Sequence, residues 1–239
     1  MTGYNKNIDY DFYKKIDKII AVSQYGKESI ISINKDYEKK TEVILDIVNP
    51  RLIESMADEE VVFEDKSYIN ICTVARLITH YKGYDMAIKA AKLLKDSEYK
   101  FRWYAVGEGE DRPIIERMIE ELGLKKEFIL IGKKSNPYPY MKNCDIYVQP
   151  SRNEGFGLTI VEAKILNKPI VCTDFDNAKV LINNEEDGII VGKNELQIYL
   201  GIKKYLESKE FKEDIIKHLE RKDQYNSIQE INKFYELVR

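Results

Sequence analysis

The chain has 239 residues, of which 44% are hydrophobic and 33% charged, with a formal net charge of -3. That length suits one large domain, or one domain plus a piece of another. The composition excludes the basic footprint of a nucleic-acid binder, and no apolar run approaches the ~18 residues of a membrane span. The opening "MTGYNKNIDYDFYKK" lacks the apolar core of a secretion signal. Cys72, Cys144 and Cys172 show no paired spacing, which predicts reduced, packed thiols in a cytoplasmic protein. With two isolated histidines and no Cys/His cluster, no metal site is expected.

The predicted elements alternate βαβα. "KIIAVS" (18–23) is a short strand, and Ser23 can cap a helix beginning in "QYGKESIISIN". "TEVILDIV" (41–48) is a second apolar run, ended by Asn49–Pro50, and "RLIESMAD" is a short helix or turn. "EEVVFEDKS" reads as a linker. "YINICTVA" (68–75) is an apolar, β-branched run, as expected of a strand buried on both faces. The helix "GYDMAIKAAKLLKD" (83–96) carries an apolar stripe at Met86, Ala87, Ala90 and Leu94. Next come the strand "FRWYAVG" (101–107), the helix "DRPIIERMIEELGL" (111–124) and the strand "EFILIG" (127–132). "SNPYPYMKNC" turns into a short helix, then come the strands "DIYVQPS" (145–151), "KPIVCTD" (168–174) and "DGIIVG" (187–192), and polar helices fill 194–238. This order predicts an α/β fold, a doubly wound parallel sheet with helices on both faces. Ligands of such folds sit at the carboxyl ends of the strands.

One loop there, "SRNEGFGLTIVEAK" (151–164), holds two carboxylates eight positions apart, Glu154 and Glu162. Between them lie Gly155, Phe156 and Gly157, then a helix from about Leu158 whose free N–H groups favour a phosphate. Glu162 falls roughly 6 Å along that helix at ~1.5 Å per residue. The two acids can therefore reach hydroxyls at opposite ends of a ligand whose phosphates lie between them. On spacing alone, a solvated pair of helix-terminal glutamates fits equally well. Arg76 follows a buried strand directly and Lys82 precedes a helix start, so both cations can reach a diphosphate at the same edge. For Lys82, a surface cation is the plainer reading. "AVGEGED" is a weak Gly-x-Gly, since Arg112 stands where the dinucleotide fingerprint needs glycine, which counts against a dehydrogenase. His80 reads as a loop residue, His218 as solvated, Asp174 and Asp176 as helix caps, and Tyr138 and Tyr140 as packing.

The motifs "CTVARLITHYKGYD", "WYAVGEGEDRPIIERMIEELGL", "FILIGKKSNPYPYMKNCDIYVQPSRNEGFGLTIVEAKILNKPIVCTD" and "NEEDGIIV" resemble the donor-binding, C-terminal half of a family 4 retaining glycosyltransferase of GT-B fold. The two glutamates match that family's Glu-x7-Glu signature, and the resemblance runs over about residues 68–192. It implies a Rossmann-like domain over 67–195, a linker at 59–66, a remnant of the acceptor-side domain over 1–58, and helices over 196–239 that pack back toward the N-terminal segment. It also implies that Arg76 and Lys82 bind the donor diphosphate, with Glu154 the third candidate catalytic residue. Glu162 would hold the ribose. Glu154 with the backbone of Gly155, Phe156, Gly157 and Leu158 would hold the sugar, and Thr159 would add a phosphate contact. Gly107, Ile131, Gly132 and Lys133 would line the nucleoside. The implied substrate is a UDP- or GDP-sugar with no metal ion, and the acceptor a glycan or lipid-linked sugar. A separate acceptor-domain partner, at most a peripheral membrane association, and weak or absent transfer by this chain alone are further expectations. A non-catalytic nucleotide-sugar-binding subunit is the alternative. One departure is "DFDNAKVLI", where the family often has Gly-Gly-x-x-Glu.

Overall fold

The computed structural model describes residues 13–61, 63, 67–221 and 227–238. The chain divides into two compact units, Met1–Val48 joined by Asn226–Arg239, and Asn49–Tyr225. The expected linker at 59–66 lies partly outside the described residues.

In the smaller unit, β1 (Ile19–Ala21) pairs in parallel with β2 (Thr41–Val43). Helix α1 (Gln24–Ile33) and a 3-10 turn (Lys35–Lys40) connect them. Ser23 caps α1 as its position predicts, its Oγ accepting from the Gly26 N–H at 3.0 Å. Helix α11 (Ser227–Val238) belongs to this unit, and buried Glu230 accepts from the Leu45 N–H at 2.8 Å.

The larger unit is a six-stranded parallel sheet of β3 (Ile69–Val74), β4 (Phe101–Val106), β5 (Phe128–Gly132), β6 (Ile146–Gln149), β7 (Ile170–Thr173) and β8 (Ile189–Val191). Their spatial order is β5-β4-β3-β6-β7-β8. The chain works outward from β3 in one direction, then returns to β3's other side with β6. The resulting switch point between β3 and β6 is where a doubly wound sheet opens a crevice at its carboxyl edge. A buried chain of hydrogen bonds crosses it: Trp103 Nε1 donates to Thr73 Oγ1 (3.0 Å), which donates to the Val148 carbonyl (2.7 Å).

Helices α2 (Pro50–Met56), α6 (Tyr138–Asn143) and α7 (Leu158–Ile165) pack together, whereas α4 (Tyr84–Asp96) packs with α5 (Arg112–Glu121) and α9 (Glu195–Glu207). The stripe read on α4 is buried in full, with Ala87, Ala90 and Leu94 at 0% exposure. Its small residues let α9 lie close, burying Ile198, Ile202 and Tyr205. Burying each such large side chain contributes about 1.5–3 kcal/mol. Helix α9 therefore covers β7 and β8 within the larger unit, and α10 (Lys209–Arg221) packs on α9, because their apolar stripes, completed by Ile215 and Leu219, need an apolar face. The reading of 196–239 as one set of helices directed toward the N-terminal segment did not separate them from α11. His218, read as solvated, has a buried Nε2 with no partner among the described residues. All three cysteines are free and buried.

Candidate functional site

At the switch point, the loops after β3, β4 and β5 enclose a cleft of about 530 Å³. Its lining includes Arg76, Gly107, Glu108, Lys133, Lys134 and Thr159. The first two loops clasp each other: Ala75 N–H donates to the Val106 carbonyl (3.1 Å) and Leu77 N–H to that of Glu108 (3.0 Å). Gly107 makes the clasp feasible, since with φ +152° a Cβ there would stand 2.0 Å from the Ala75 oxygen. Gly107 N–H also donates to the Gly132 carbonyl at 3.0 Å, joining the third loop. Among the described residues Arg76, Lys133 and Lys134 have no carboxylate partner. The one acid among the described lining residues, Glu108, is engaged by Arg112 at 2.5 Å. The cleft thus presents uncompensated positive charge, and the first turn of α7 adds backbone N–H groups beside Thr159.

Glu154 sits next to this cleft in a network the spacing did not reveal. Its Oε2 is 2.6 Å from Lys82 Nζ, and the two side chains are 10% and 17% exposed. Its Oε1 accepts from Ser151 Oγ at 2.6 Å and from Gln149 Nε2 at 2.7 Å. The repulsion between this acid and a bound anion is therefore met locally by Lys82. A second brace joins the same segments. Arg152 grips Asp85 with two bonds of 2.7 and 2.6 Å and donates to the Thr79 carbonyl at 3.1 Å. Burial raises the Asp85 carboxyl, but the Arg152 hydrogen bonds and charge outweigh it and hold the group below its usual range.

Glu162 lies one turn after Leu158, and its Oε1 accepts from Tyr138 OH at 3.0 Å. Burial pushes the Glu162 carboxyl up, and the tyrosine bond pulls it part of the way back. Tyr138 is in turn pushed up to about 12, by burial and then by the Glu162 charge.

The structure therefore gathers Arg76, Gly107, Lys133 and Thr159 on one cleft, with Gly132 bonded to its wall. Lys82 and Glu154 form an adjoining pair, and Glu162 stands with Tyr138. Gly157 (φ +103°) opens α7, Phe156 is buried at 4%, and Leu158 is exposed. The Gly155 carbonyl accepts from Asn177 Nδ2 at 2.6 Å. Ile131 is half-buried inside β5. Asp174 and Asp176 cap nothing: helix α8 (Ala178–Leu181) has Asn177 at its N-cap and no side-chain cap bond, and exposed Asp174 lies 3.5 Å from Lys179. Sequence reasoning missed Gln149, Ser151, the Arg152–Asp85 brace, Lys134 and the Tyr138 bond. The only written signal for the first three was a polar run, "QPSR", at the end of an apolar strand.

The family model described as "Glycosyl transferases group 1" matches residues 56–222. The chain is 29% identical over 205 residues to a Campylobacter jejuni N-acetylgalactosamine-N,N'-diacetylbacillosaminyl-diphospho-undecaprenol 4-alpha-N-acetylgalactosaminyltransferase, covering 85% of this chain and 54% of that one. It is 28% identical over 206 residues to the Staphylococcus aureus capsular polysaccharide biosynthesis glycosyltransferase CapM, covering 82% and 54%. The chain thus spans about half the length of these curated relatives. Among solved structures, Anabaena HepE in complex with UDP and glucose superposes with a TM-score of 0.85 at 18% identity, covering 100% of this chain and 67% of that one, which shows the shared fold. The family-model match spans well over half the sequence, and the chain belongs to the glycosyl transferases group 1 family.

Proposed function

We propose that this chain binds a nucleotide-diphospho-sugar, a UDP- or GDP-sugar, as the donor for retaining transfer of a hexose to a glycan or lipid-linked acceptor in cell-surface polysaccharide synthesis. The observation that carries the reading is the cleft at the switch point, with three cations that have no carboxylate partner among the described residues, and a helix start, converging on it. Arg76 and Lys134 favour a diphosphate there, and stabilise the charge that develops on it when the sugar leaves. Lys82 adds to that field while compensating Glu154. Glu162, one turn up α7, suits the ribose hydroxyls, and Glu154, on the other side of the turn, suits those of the sugar. The backbone of 155–158 approaches the sugar between them, and Gly107, Ile131, Gly132 and Lys133 border the nucleoside. The printed ligands of HepE, UDP and glucose, support this class of donor. No metal is needed in this scheme, since the charge partners are side chains of the chain itself. No helix among the described residues is long and apolar enough to cross a membrane, and the proposed setting is the cytoplasm, with at most a peripheral membrane association.

A second reading is that the chain binds the nucleotide-sugar while a separate acceptor domain completes the enzyme, so that this chain alone transfers weakly or not at all. Both readings share one test. Titration calorimetry with UDP, GDP and ADP, and with their glucose conjugates, should show binding of one base series with the conjugate at least as tight as the free nucleotide. Binding of none would contradict both.

A further inference from the structure

Gln149 joins the cleft to the Glu154 cluster. It ends β6, is 1% exposed, and has every hydrogen-bonding capacity of its amide in use. Nε2 donates to Glu154 Oε1 (2.7 Å) and to Ser151 Oγ (2.8 Å). Oε1 accepts from Tyr147 OH (2.7 Å) and from Thr159 Oγ1 (3.0 Å). A primary amide has two donors and two lone pairs, so none is spare. The amide's orientation follows from chemistry. Turned over, its oxygen would face the Glu154 carboxylate, which only accepts. With the nitrogen on Glu154, the oxygen faces the two hydroxyls, and each spends its one proton on it. Thr159, which lines the cleft, therefore offers lone pairs to an occupant. A phosphate oxygen also only accepts, so a phosphate contact at Thr159 runs through the backbone N–H.

We propose that Gln149 is a positioning residue for sugar transfer: its amide aims the Glu154 carboxylate at the donor sugar and fixes the Thr159 hydroxyl as an acceptor toward the cleft. This rests on the reading of Glu154 as a sugar ligand. Several charged or titratable groups face the cluster. Lys82 precedes α4 and is paired to Glu154. Tyr147 is on β6, with the Glu162 charge and Cys72 of β3 acting on it. Arg152 and Asp85 neutralise each other across the adjoining turn. None of these takes the place of the donor that Gln149 supplies.

The informative variant is Gln149→Glu. It sets a second carboxyl about 2.7 Å from that of Glu154, and two carboxyls so close share one proton. At high pH both ionise, and Glu154 is turned from its position. As pH falls, the shared proton restores a donor where the amide N–H stood. Calorimetry at about pH 8 and about pH 5.5 should find UDP bound as by wild type at both. UDP-glucose should bind roughly ten-fold more weakly at the higher pH, with most of the deficit regained at the lower one, each value taken against wild type at the same pH. In ligand-free Q149E, carboxyl-carbon NMR should show the pair at positions 149 and 154 taking up one shared proton as pH falls between the two values. An equal deficit at both pH values with no shared titration of the pair would overturn the proposal, since a packing role is blind to pH. Failure of wild type to bind UDP or UDP-glucose would instead strike the donor reading, and the ligand-free titration would still decide the role of Gln149. Should Q149E not fold, Tyr147→Phe keeps the buried ring and removes one holder of the amide. It should speed exchange of the Gln149 amide protons and weaken UDP-glucose more than UDP, and unchanged exchange would overturn the proposal.

Discussion

A carboxylate taken out of water without a cation costs stability, and Glu162 shows that cost in the unliganded protein. Burial holds it above the usual carboxylate range, against the partial relief from Tyr138. Because its folded-state pKa exceeds the unfolded one, its protonated form contributes stability at low pH, which is lost as pH rises through the folded value. Glu162→Gln should therefore raise the melting temperature at about pH 7.5 by about 2 °C, and by less at about pH 5. A lowered melting temperature at the higher pH would contradict this account. The sequence placed both glutamates beside the glycine turn and the helix start, while its spacing fitted a solvated pair equally well, and the structure shows Glu154 10% exposed and Glu162 partly buried. The partners of Glu154 were not legible. Lys82 is 72 positions away, and a polar residue ending an apolar run, as Gln149 does, reads equally as a strand end.

Backbone packing at the element scale makes a sharper demand. Gly83 joins helix α3 (Thr79–Lys82) to α4 at φ +67°, and a Cβ on it would lie 1.9 Å from the Pro150 carbonyl oxygen. Gly155, in the turn before α7, has nothing within 4 Å of the same position. Gly83→Ala should thus cost about 3 kcal/mol or more and displace Lys82, whereas Gly155→Ala should stay within about 0.5 kcal/mol of wild type. Urea denaturation midpoints compare them, and equal losses would refute the assigned contact. The strands of the sheet were legible because burial on both faces leaves continuous β-branched runs such as "INICTV". Where α9 and α10 pack was less legible: an amphipathic stripe shows that a helix needs an apolar face, not which face it finds. The half-buried position of His218 follows from the same placement.

The strand order belongs to the whole molecule and is not written in any window of the sequence. Alternating strands and helices imply a parallel sheet, but the return of β6 to the far side of β3, which creates the crevice, is a long-range pairing. The resemblance implied a doubly wound, Rossmann-like sheet without naming the order of its strands, and the observed order is of that kind. The cleft brings together Arg76 of "VARLITHYK" and Lys133 and Lys134 of "IGKK", more than fifty positions apart. The central claim is that two carboxylates hold opposite ends of one nucleotide-sugar across that cleft. The most direct test is calorimetry of UDP and UDP-glucose against wild type, Glu162→Ala and Glu154→Ala. Loss of one charged hydrogen bond costs ~1.5–3 kcal/mol, so Glu162→Ala should weaken both ligands roughly ten-fold or more. Glu154→Ala should leave UDP unchanged and weaken UDP-glucose alone, and equal losses of both ligands in both variants would contradict the claim.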